Sequence, residues 1–119
     1  MVAPARGEIW WFDPDPVRGH EQGGPRPALI MSASTFNAGP QRLAMVLPIT
    51  RSPRTYPYRI ELLPDESGLP EVSYVICDQL RTVTLDRMLD SRPVGRVSED
   101  VLVRAGDHLR AILELDDDS

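Results

Sequence analysis

Proline and glycine interrupt this chain so often that its first two-thirds leave little room for a helix of ordinary length. Twelve prolines among 119 residues are about twice the usual share. The apolar runs between them fall at residues 8–12, 28–32, 43–49, 58–63 and 73–77, with 81–84 and 94–97 extending the series. Each has the length and the β-branched or aromatic content of a strand. Asn37-Ala38-Gly39-Pro40 and Pro64-Asp65-Glu66-Ser67-Gly68 carry the residues that reverse a chain between strands.

The period then changes. Leu102, Ala105, Leu109 and Ile112 recur at helical spacing, flanked by Val101 and Leu113. Ser98 is placed to cap this helix, and Glu99 and Asp100 sit where the helix dipole favours acids. Gly106 inside it costs about 1 kcal/mol relative to alanine and predicts a weak central turn. Asp116-Asp117-Asp118 beyond it is expected to fray. Short strands followed by one helix predict a mainly β fold, a small bent sheet or barrel with the helix packed on it. The whole chain, 1–119, reads as a single domain.

Cys77 is the only cysteine, so no internal disulfide forms, and its neighbours Tyr74-Val75-Ile76 suggest a buried thiol on a strand. No apolar run approaches the roughly 20 residues of a membrane span, and no signal-peptide pattern opens the chain. A reducing cytoplasm is the expected compartment. The net charge of −5 argues against a general polyanion binder, yet the charge is uneven. Residues 1–60 hold seven arginines against four acids, and residues 61–119 hold six against fourteen. Such asymmetry fits a local polyanion site on an acidic body.

The longest connection, residues 13–27, runs to 15 residues, a length more typical of functional or disordered loops. It carries Arg18, His20, Glu21 and Arg26, and Pro25 and Pro27 restrict the backbone on both sides of Arg26. RNA brings its own nucleophile, the 2′-hydroxyl. Cleavage then requires a base for that hydroxyl, an acid for the departing oxygen and cations for the charge on phosphorus. His20 suits either proton role with Glu21 as its partner, and Arg26, which stays protonated, suits the phosphate. Taken singly, a loop histidine is more often surface than catalyst, and Glu21 can be a mere ion-pair partner. Asp13 and Asp15 read as turn formers, too few for a dedicated oxygen-ligand site, so no metal or cofactor is expected. Trp10-Trp11-Phe12 reads as core plus interface, while Tyr56 and Tyr58, near Arg51 and Arg54, are the better base-stacking candidates.

The order of segments adds a resemblance. Arg6-Gly7-Glu8-Ile9-Trp10, Gly19-His20-Glu21-Gln22, Arg26-Pro27, Pro48-Ile49-Thr50 and Cys77-Asp78-Gln79-Leu80-Arg81-Thr82 follow one another as in the MazF/PemK/Kid family of toxin–antitoxin endoribonucleases. The likeness spans about residues 6–115. It implies an SH3-like barrel with a C-terminal helix, a homodimer, and a cognate antitoxin that occludes the site. It also implies metal-independent cleavage of single-stranded RNA to 2′,3′-cyclic phosphate and 5′-hydroxyl ends. Arg26 and Thr50 match the family's arginine and threonine at the scissile phosphate. Glu21 matches the glutamate of its Glu-Gln pair, and His20 and Asp78 match residues of the Kid/PemK branch. Arg51, Arg54, Tyr56, Gln79 and Arg81 are the expected RNA-binding set.

One departure stands out: the Kid-like pattern has an arginine where this chain has Ile76. Two rival readings share the fold. One is a CcdB-like toxin that binds gyrase without catalysis, against which the loop arginine and Pro48-Ile49-Thr50 speak. The other is an inactive family member that only binds antitoxin.

Overall fold

The computed structural model describes residues 3–13, 24–53 and 55–115. Seven strands form its framework: β1 Glu8–Phe12, β2 Arg26–Ile30, β3 Leu43–Thr50, β4 Arg59–Leu62, β5 Ser73–Ile76, β6 Arg81–Thr84 and β7 Gly95–Arg96. The helical turn α2 Pro64–Ser67 occupies a reversal expected from sequence, α1 Ser34–Asn37 comes just before the expected turn at 37–40, and a 3-10 turn Leu85–Arg87 follows β6. The terminal helix is α3, Glu99–Leu113. Strand order is β4-β5-β3-β2-β1-β7, every pairing antiparallel, with β6 also paired to β3.

The long strand β3 bends this sheet into a half-barrel. Its first half pairs with β6, from Leu43 opposite Thr84 to Val46 opposite Arg81. Its end pairs instead with β5, Ile49 opposite Val75 and Thr50 opposite Tyr74. Pro48, which has no N–H to leave unpaired, lies between the two stretches.

Alternation does the rest. Odd-numbered Ile9, Leu29, Leu47 and Ile49 point to one face and meet Ile60, Leu62, Val75 and the Val101, Leu102 and Ala105 stripe of α3. Even-numbered Trp10, Phe12, Ala28, Ile30, Ala44 and Val46 point to the other and meet Leu85. Full burial of an aliphatic side chain stabilises by about 1.5–3 kcal/mol, so both faces hold the fold. At one edge of the sheet the buried Asn37 donates from Nδ2 to the carbonyls of Pro4, at 2.8 Å, and Ser32, at 3.2 Å. That ties the N-terminal arm to α1. Elsewhere α2 and β7 touch backbone to backbone: a Cβ at Gly68 or Gly95 would collide with Val94 O or Ser67 O respectively.

Several boundaries move. β2 starts at Arg26 rather than Ala28, because the ladder to β1 continues as far as Phe12 opposite Arg26. Arg26 is therefore a strand residue and not part of the loop, a correction to the expected 13–27 connection. β4 starts at Arg59 because Tyr58 adopts φ 68°, which no strand accommodates. Only Gly95 and Arg96 of the 94–97 run pair, with Ile9 and Glu8. Ser98 caps α3 as expected, its Oγ accepting from Val101 N at 3.3 Å, and the helix passes through Gly106 without a break. The Asp116-Asp117-Asp118 tail lies outside the described residues. Cys77 is fully buried directly after β5, and that burial, with the nearby Asp78 charge, pushes its thiol up to about 11.

Candidate active site

Register assembles the site. Arg26 stands opposite Phe12 across β1 and β2. The β2–β3 ladder runs from Ile30 opposite Val46 to Ala28 opposite Pro48, and just beyond its end Arg26 and Thr50 line the same two grooves. Thr50 in turn stands opposite Tyr74 of β5. Alternation from the Ala28–Pro48 pair puts Arg26 and Thr50 on one face. That face is the one buried at Ala28, Ile30 and Val46, and Arg26 and Thr50 occupy the end of it, where the core gives way to solvent. A guanidinium and a hydroxyl thus reach the same two grooves from neighbouring strands. Thr50 Oγ1 also accepts from Ser52 N at 3.1 Å, which fixes the exit of β3.

Arg26 and Thr50, with Pro27 and Ile49, form the wall between two grooves of about 730 and 710 Å³. The first mixes apolar Trp11, Leu69 and Leu89 with Arg51, Glu71 and Asp90. The second is the arginine groove: Arg81 and Arg87 join Arg26 there, with Gln79 and Thr82, against Asp13 as its one acid among the described residues. Its floor includes Ala28, Pro48 and Ile76. A strand of phosphates would find three fixed positive charges along one wall and a hydroxyl at its end.

The expected residues separate as follows. Arg26, Thr50, Gln79 and Arg81 come together around the arginine groove. Arg51 lines the other groove and pairs with Glu71 at 3.1 Å, both side chains being exposed. Asp78 is exposed, lines neither groove and sits beside Cys77. Tyr56 also lines neither; the guanidinium of Arg59 lies over its ring, 4.8 Å from the centroid. Tyr58 packs edge-on against His108 of α3, with ring centroids 5.5 Å apart. His20, Glu21 and Arg54 lie outside the described residues.

Sequence reasoning passed over Arg87, Trp11 and Arg59. Arg87 reaches the arginine groove because Asp13 N donates to its carbonyl at 2.9 Å and Met88 bridges to Phe12. Trp11 faces away from its neighbours Trp10 and Phe12, as strand alternation requires, and the Trp-Trp-Phe run could have signalled that split. Among the described residues, no three His, Cys, Asp or Glu side chains gather as a metal-binding group.

A curled half-barrel with an arginine and a threonine between two clefts defines the class: a small β scaffold that carries a cationic groove at the ends of its central strands. The chain belongs to the family of PemK-like, MazF-like toxins of type II toxin–antitoxin systems, whose model matches residues 5–113. It is 36% identical to endoribonuclease MazF9 of Mycobacterium tuberculosis over 115 residues, covering 92% of this chain and 96% of that protein. It is also 36% identical over 111 residues to endoribonuclease PemK of Escherichia coli, covering 91% of this chain and 80% of the relative. In three dimensions it resembles the MazE–MazF crystal structure from Deinococcus radiodurans, with a TM-score of 0.81 and 30% identity over 98% of this chain and 100% of the other.

Proposed function

We propose that this protein is the toxin of a type II toxin–antitoxin pair and an endoribonuclease acting on single-stranded RNA. The observation that carries the reading is that Arg26 and Thr50 line one arginine-rich groove, in a chain whose relatives are named endoribonucleases. Arg26 holds the scissile phosphate and balances the charge that grows on its oxygens, and the Thr50 hydroxyl donates to one of them. The RNA 2′-oxygen attacks phosphorus, the new P–O2′ bond forms, and the P–O5′ bond breaks. A base takes the 2′ proton and an acid returns one to the 5′ oxygen, leaving a 2′,3′-cyclic phosphate and a 5′-hydroxyl. No metal enters this scheme. Glu21 and His20, from the segment leading into β2, are the proton carriers of the proposal, with Asp78 assisting from the turn after β5. Gln79, Arg81 and Arg51 bind the strand, joined by Arg54 and Tyr56.

The active form of the proposal is a cytoplasmic homodimer, silenced when a cognate antitoxin covers the RNA groove. No helix among the described residues is long and apolar enough to cross a membrane. The test is direct: purified protein with mixed single-stranded RNAs in EDTA is expected to release fragments with cyclic phosphate ends. A folded protein that leaves every RNA intact refutes the reading. Gyrase-dependent DNA breakage in expressing cells with intact RNA would favour a CcdB-like toxin instead.

A further inference from the structure

The floor of the arginine groove follows a single cross-strand row. Ala28 opposes Pro48, Ile76 opposes Arg59, and alternation from Ile49 opposite Val75 puts Pro48 and Ile76 on one face. The first three line the groove, so Arg59 stands next in line on the same face. Two further observations single it out. Its guanidinium lies over Tyr56, and its Nη1 is buried without a hydrogen-bond partner. Among the described residues Arg59 forms no ion pair, although Glu61 lies two positions along the same strand.

An arginine cannot shed its proton to escape such a position. A charged donor withheld from water without a partner costs stability, and native structures rarely leave one so. The face it shares already presents Arg26, Arg81 and Arg87 to one groove. We propose that Arg59, backed by Tyr56, is a fourth cationic contact that takes a backbone phosphate of the RNA beyond the scissile one. The ring holds the guanidinium against the sheet, as cation–π contacts do, and so limits the rotamer freedom that binding would otherwise remove. Ile76 is then the apolar floor between the two phosphate contacts. A phosphate contact of this kind reads no base, so it serves every sequence alike.

This assignment rests on the RNA-cleaving site at Arg26 and Thr50, and its test separates the two. Binding is measured by fluorescence anisotropy on a mixed 2′-fluoro single-stranded RNA, which lacks the nucleophile, across a range of salt concentrations. Each phosphate contact on a single strand contributes about −0.7 to the slope of log affinity against log salt. Arg59→Gln is expected to lose one such contact: a slope shallower by about 0.7 and an affinity about tenfold lower at low salt. On cleavable RNA the same variant raises KM and leaves kcat unchanged, as loss of uniform binding does. Arg59→Lys keeps the slope while weakening affinity for all sequences, because it keeps the charge and loses the fork. A wild-type slope in folded Arg59→Gln, or a loss confined to kcat, overturns the assignment. If Arg59→Gln fails to fold, undiminished affinity in Arg59→Lys overturns it. Wild-type protein that neither binds nor cuts RNA sinks the nuclease reading itself.

Discussion

Removing the Arg26 guanidinium and the Thr50 hydroxyl, singly and together, tests the site most sharply. Arg26 is exposed at the first position of β2, with its backbone in the ladder to Phe12, so Arg26→Ala keeps the ladder and alters folding stability by about 0.5 kcal/mol or less. Its loss from the reaction is larger. Deleting one preorganised donor to a developing oxyanion costs about 10²–10³ in kcat. Thr50→Val keeps the β-branched shape of a strand end and removes the hydroxyl. It also deprives Ser52 N of its 3.1 Å acceptor, so a stability loss of about 1 kcal/mol accompanies the fall in rate. In the proposed reaction both groups act on one phosphate, and both line the same two grooves. Their effects therefore overlap: the double variant is expected to lose less than the product of the two single losses, with a coupling of about 1–3 kcal/mol. The assay is initial-rate cleavage of a fixed single-stranded RNA under saturating conditions, with a thermal melt on each variant. Arg26→Ala cleaving within threefold of wild type refutes the central assignment. Strict multiplicativity in the double variant refutes the shared phosphate.

Other outcomes follow from the fold and the thiol. Asn37→Leu strips two carbonyls of a buried donor and should cost about 2–4 kcal/mol in denaturant unfolding, whereas a change under about 0.5 would mean the N-terminal arm is not held through it. Gly95→Ala places a methyl against Ser67 O and should lower the melting temperature by several degrees; Gly106→Ala, whose Cβ meets only the end of Arg110, should raise it slightly. Cys77 gives a pH dependence whose sign is fixed. Its folded pKa, about 11, lies above the ordinary thiol value of 9.0, so the folded state keeps its proton longer. The contribution is fully present below pH 9 and is lost as pH rises through about 11, up to about 2–3 kcal/mol in all. Cys77→Ala should show a smaller loss over that window in equilibrium unfolding; parallel curves would contradict the burial argument.

Strand positions and the terminal helix were legible because they are local patterns: alternation in Glu8–Phe12 and Leu43–Thr50, and a stripe capped by Ser98 in Glu99–Leu113. The bounds failed where a neighbour decided them. Arg26 is a strand residue because Phe12 pairs with it, and Tyr58 is not one because of its own positive φ. The site was half legible. Arg26 and Thr50 announce themselves by chemistry and by resemblance, but their meeting at one groove depends on β2 pairing with β3, between residues 24 positions apart in sequence. Arg59 and Arg87 escaped notice for the same reason: only pairing across strands and the Phe12–Met88 bridge bring them to the groove face. Nothing in the sequence indicates that Arg51 pairs with Glu71, twenty residues on, at 3.1 Å.

The divided pairing of β3 bears on how such a chain can vary in length. Three neighbours fix its register at once, β2 along one edge and β6 then β5 along the other. Inserting a single residue between Val46 and Thr50 would reverse the side-chain parity of everything after it, sending the Thr50 hydroxyl toward the α3 side and leaving Arg26 facing the wrong neighbour. The same insertion in the connection between β3 and β4 would lie outside every ladder and leave the pairing of both strands intact. Homologues of this chain should therefore differ freely in length after Thr50 and hardly at all before it. The distance from Leu43 to Thr50 behaves as a fixed ruler, and the arginine on the neighbouring strand is measured against it.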